Sequence, residues 1–104
     1  MTGNENDLKM LYKRWEKDVD PLFEMDYWLW EWYQKREQFC LRKVEEWLYV
    51  AEGNGVVSSE RARTIAGWLN ELMETDDVER IEELVDAIAD EIRYAIFAHA
   101  RRIA

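Results

Sequence analysis

Apolar residues recur at three- and four-residue spacings along nearly the whole chain, and nowhere show the alternation of a half-buried strand. Leu8, Leu11, Tyr12, Trp15 and Val19 predict a first helix over 7–17, with Lys9, Lys13, Glu16 and Lys17 on its solvated side. Asp18-Val19-Asp20-Pro21 reads as a turn, because the residue before a proline is pushed out of helical conformation. Pro21 then suits a first helical position with Asp20 as N-cap, where a missing N–H costs nothing.

No Gly or Pro follows until Gly53-Asn54-Gly55, which predicts one central helix over 21–52, roughly 50 Å long at about 1.5 Å per residue. Leu22, Leu29, Tyr33, Cys40, Val44, Trp47 and Ala51 share a narrow arc, and Trp47 at its middle is expected in the core. Met25, Trp32, Phe39 and Val50 widen the arc on one side, and Phe23, Trp30, Leu41 and Leu48 on the other. So broad a face suits two or three neighbouring helices.

Ser58 or Ser59 can cap a third helix over 59–74, striped by Ala62, Ile65, Ala66, Leu69, Leu72 and Met73. Gly67 within it implies a close helix approach, since Gly there costs about 1 kcal/mol relative to Ala. Asp76-x-x-Glu79 resembles a capping box for a fourth helix over 77–102. Ile81, Leu84, Val85, Ile88, Ile92, Ala95, Ile96, His99 and Ile103 line its apolar face. The fold class expected is all-α: one domain, a four-helix bundle-like arrangement on the long central helix.

The chain of 104 residues carries a formal net charge of −9, and the charge is concentrated. Segment 74–91 holds nine of the 23 acids and one of the 14 bases, leaving 14 acids against 13 bases elsewhere. Such a field repels nucleic acid and anionic membranes and attracts basic surfaces. Glu79, Glu83, Asp86 and Asp90 stack on the face away from Ile81, Ile88 and Ile92, with Glu82 and Asp76 broadening the row. Neighbours in such a row stand about 5–6 Å apart, near the spacing of phosphates along a nucleic-acid strand. Like charges so placed disfavour the helix by a few tenths of a kcal/mol per pair. The row reads either as a solubilising face or as a partner surface.

Tyr27, Trp28, Trp30, Trp32 and Tyr33 point around most of a helix circumference, with Tyr27 and Trp28 furthest from the core arc. Neighbouring helices could cover them, or some could form a patch for a partner or a second copy of the chain. Nucleobase stacking near Lys35, Arg36, Arg42 and Lys43 is a third option, opposed by the overall charge.

Parts for catalysis are missing. His99, the one histidine, lies on an apolar stripe, where a hydrogen-bonded core or edge role is expected. Cys40, the one cysteine, sits mid-arc as a small hydrophobe. There is no phosphate loop, no Glu-x-x-His pair and no calcium-loop spacing, so no enzyme activity and no cofactor or metal is expected. A single cysteine, no signal-peptide pattern and no long apolar run together suggest a cytoplasmic protein.

The function expected is that of a small non-enzymatic inhibitor docking on a basic, nucleic-acid-binding surface of a larger complex. In size and charge this is the anti-CRISPR or anti-restriction type of nucleic-acid mimic. Asp76, Glu79, Glu82, Glu83, Asp86 and Asp90 would bind the partner, with Tyr27 or Trp28 as apolar anchor. An immunity protein or antitoxin against a basic toxin, or a structural homodimer through the aromatic helix, fits the same features. Direct contact with nucleic acid or membrane is not expected.

Overall fold

Tyr33 is followed by five polar residues, Gln34 to Gln38, so the positions where a continuing helix needs apolar side chains hold Arg36 and Glu37. The chain turns there. The computed structural model describes the backbone of residues 3–103 and the side chains of residues 17–101. Its four helices are α1 (Gly3–Lys35), α2 (Gln38–Gly53), α3 (Ser59–Glu74) and α4 (Val78–Ile103), with no strand among the described residues. The fold is all-α and bundle-like, as the periodicity implies.

The first two predicted helices are drawn differently from the expectation. In place of 7–17 and 21–52, the helix runs unbroken through Pro21 and ends at Lys35. An interior proline removes one backbone hydrogen bond and crowds the preceding turn, at about 3 kcal/mol or more. Against this, Val19, Leu22, Met25 and Leu29 are wholly buried on one side of the continuous helix. Each such side chain contributes roughly 1.5–3 kcal/mol, so the burial outweighs the proline. The stripe of Leu8, Leu11, Tyr12 and Trp15 lies outside the described side chains.

At the new break Arg36 adopts a left-handed conformation, φ 58°, and its N–H closes on the Trp32 carbonyl at 2.7 Å. That conformation costs a non-glycine residue about 1–2 kcal/mol. Its guanidinium offsets the cost by lying 4.9 Å from the Trp32 ring centre and 5.3 Å from that of Tyr33, while Nε donates to the Tyr33 carbonyl at 3.0 Å. The gain is that α2 folds back on α1, burying Cys40, Leu41, Val44, Leu48 and Ala51. The broad apolar face is thus two helices facing each other. This shifts the buried arc of α2, and Trp47 is only half-buried at its edge while Leu41 and Leu48 are inside.

Asn54 and Gly55, the latter at φ 76°, end the second helix, and buried Val56 and Val57 lead into the third. Ser58 caps α3 by accepting from the Arg61 N–H at 3.2 Å. Asp77, one residue after the expected Asp76, caps α4, its Oδ1 accepting from the Glu79 N–H at 3.1 Å. Gly67 is exposed and a Cβ there would meet nothing within 4 Å, so it marks no close approach.

Among the described residues each helix packs on the next and α4 returns to α1, leaving α1/α3 and α2/α4 as diagonals. The short links make neighbours antiparallel. Ion pairs link α3 to α4: Arg61 meets Glu91 at 2.5 Å, and Arg80 is hydrogen-bonded through two nitrogens to Glu71. The Arg80 guanidinium holds the Glu71 carboxyl below its usual range, and the arginine's own pKa is raised in return. The bundle measures 59 × 26 × 20 Å, its long axis set by α1.

Candidate functional site

The acidic row comes from the sequence of α4. Ile81, Leu84, Val85, Ile88 and Ile92 are buried against the other helices, which turns the intervening carboxylates outward. Asp76, Glu79, Glu82, Glu83, Asp86 and Asp90 are all exposed. They are not equally available. Arg80, the one base of the segment, pairs with Glu71 and reaches Glu83 at 3.1 Å, and Arg93 approaches Asp90 at 3.9 Å. Glu79, Glu82 and Asp86 make no ion pair within the described residues.

The expected anchors stand apart from this row. Trp28 is half-buried across the α1–α2 seam, its ring 5.9 Å from Phe39 and 5.1 Å from Tyr27. Tyr27 is 55% exposed on the outer side of α1. The aromatics that do meet the acids are Trp30 and Tyr33, which line a groove with Glu82, Val85 and Asp86. Trp30 is held there by its indole N–H, which donates to Asp26 at 3.1 Å. The remaining member of the cluster, Trp32, is core. Helices α2 and α4 therefore cover part of the cluster, one on each side of α1.

Periodicity also places two further aromatics on this face of α4. Phe97 lies seven residues beyond Asp90, so it continues the acidic row, and it is 63% exposed. Tyr94, on the same outer side, carries the Arg61 guanidinium 4.2 Å above its ring.

A second depression, of about 380 Å³, lies at the end of the bundle among Trp32, Arg36, Leu41, Leu72, Asp76 and Val78. His99 is mostly buried with its Nε2 3.7 Å from Asp18 Oδ2, and neither ring nitrogen makes a hydrogen bond among the described residues. Burial pushes the Cys40 thiol up from its ordinary range. No three described His, Cys, Asp or Glu side chains are grouped so as to hold a metal ion. No helix of the described residues is long and apolar enough to cross a membrane.

Comparison with known proteins finds no matching family model, no similar curated protein and no similar solved structure.

Proposed function

We propose that the protein is a non-enzymatic inhibitor whose α4 face docks on a basic, nucleic-acid-binding surface of a larger complex. The observation that supports this reading is the exposed row Glu79, Glu83, Asp86 and Asp90 with Glu82 and Asp76 beside it. Mixed charge would have kept the helix soluble without the like-charge cost, a few tenths of a kcal/mol per pair. A uniform row steers a basic partner and occupies phosphate positions. Phe97 lies on the row itself as a candidate apolar anchor, whereas Tyr27 and Trp28 stand apart from it on α1 and would serve only a partner broad enough to reach both. The reading assigns no catalytic residue and no cofactor, and places the protein in the cytoplasm with its target.

An immunity protein or antitoxin against a basic toxin would use the same face. A homodimer would instead use the exposed aromatics Phe23 and Tyr27 of α1, and gel filtration separates it from both. The test of the inhibitor reading is affinity capture from a host lysate, with the retained proteins identified. A nucleic-acid-handling protein that is released by excess DNA or RNA duplex and by rising salt is the expected result. Retained proteins indifferent to both duplex and salt would refute mimicry.

A further inference from the structure

The groove between α1 and α4 holds about 160 Å³. Its floor is the buried side chain of Val85. One bank is aromatic: the Trp30 and Tyr33 ring centres are 5.8 Å apart with their planes at 79°, so they form two walls nearly at right angles. The other bank is Glu82 and Asp86, four residues apart on α4, exposed and without an ion pair among the described residues.

This set of groups favours a particular occupant. Aromatic faces attract a cation, and two carboxylates add charge and hydrogen-bond acceptors. An ammonium can use either bank as a point charge. A guanidinium can use both at once, stacking flat on a ring while its N–H fork points at carboxylate oxygens. The molecule already contains one such arrangement, at the α3–α4 seam: Arg61 lies 4.2 Å over Tyr94 and 2.5 Å from Glu91. The α1–α4 seam repeats the ring and the carboxylates without an arginine between them. Arg36 is near, 5.3 Å from Tyr33, but its Nε is bonded to the Tyr33 carbonyl and it forms no ion pair with Glu82 or Asp86.

We infer that this groove seats an arginine side chain of the protein partner, stacked against Trp30 and Tyr33 and hydrogen-bonded to Glu82 and Asp86. The inference rests on the reading of the α4 face as a protein-docking surface and names the contact at its edge. It makes Trp30, rather than Trp28, the aromatic that meets the partner beside the acidic row.

A capped tetra-arginine peptide serves as probe, followed by calorimetry and by the indole N–H resonance of Trp30, with tetra-citrulline and tetra-lysine peptides alongside. The charge-neutral double variant Glu82→Gln/Asp86→Asn removes the groove carboxylates. Glu79→Gln/Asp90→Asn removes the same formal charge from the row outside it. Circular dichroism confirms that both remain helical. Tetra-arginine should shift the Trp30 resonance and tetra-citrulline should not. The groove variant should bind tetra-arginine about tenfold more weakly, and the row variant, which loses steering charge but no groove contact, only about two- to threefold more weakly. Equal losses in the two variants, or an unmoved Trp30 resonance, would overturn the arginine seat and leave the acidic row as a diffuse attractor. Tetra-lysine binding as tightly as tetra-arginine would likewise overturn it. No binding of tetra-arginine at low salt would count against the docking face itself.

Discussion

Trp28 and Trp30 are two residues apart, which on a helix is about 200° of rotation, and they therefore serve different seams. Trp28 packs on Phe39 of α2, whereas Trp30 faces Glu82 and Asp86 of α4. A run of aromatics this dense signals an important helix, but without the position of its neighbours it does not say which ring meets which. Gly67 is a similar case: the residue was legible as a cost, and its reason was not. Since it is exposed and a Cβ there meets nothing, Gly67→Ala should stabilise the fold by about 0.5–1 kcal/mol in urea unfolding. A loss of stability would restore the close approach that the sequence suggested. Glu71 offers a pH test. Its folded-state pKa is lowered by Arg80, so the pair's contribution is present above the ordinary carboxylate range and is lost as pH falls through the lowered value. Titration of the Glu71 carboxyl by NMR should give a midpoint below that range, and Arg80→Gln should raise it. An unchanged midpoint in the variant would mean the pair does not persist in solution.

The third and fourth helices were readable because caps and period agree: Ser58 begins one and the buried isoleucines of α4 repeat on one face. The boundary between the first two follows the apolar pattern and not the breaker residues. Pro21 looked like a boundary, yet Val19, Leu22 and Met25 keep one buried face across it. No Gly or Pro marks the true boundary; five successive polar residues do. Such a junction is weakly held. Glu37 caps α2 in an extended conformation, φ −86° and ψ 122°, and its side chain accepts no hydrogen bond from the helix. Glu37→Ser supplies a short acceptor for the first free N–H groups and should stabilise the protein by about 0.5–1 kcal/mol. Thermal unfolding checks this, and a lower midpoint would show that the junction depends on the glutamate itself. At the next junction, Ser58→Ala should cost about 1 kcal/mol through the lost bond to the Arg61 N–H, again measured by urea unfolding. A neutral result there would place the start of α3 elsewhere.

At the scale of the molecule, charge and shape coincide. The ring of four helices gives α4 a buried side and an outer side, and the outer side receives the acids because the inner one is filled by apolar residues. The acidic face was legible from spacing alone, since charges at helical period on a strongly amphipathic element have one place to go. The aromatic groove beside it was not, because it depends on α1 and α4 meeting at a register that no local pattern records. Whether this face binds a basic partner can be measured directly. The variant Glu79→Lys/Glu83→Lys/Asp86→Lys/Asp90→Lys should keep its helix content by circular dichroism, as none of the four is buried. Single changes should each cost less, because exposed charge contacts are individually weak, about 0–1 kcal/mol. Calorimetric binding to the captured partner should be abolished in the quadruple variant; full-strength binding with unchanged helicity would show that the acidic face is not the docking surface.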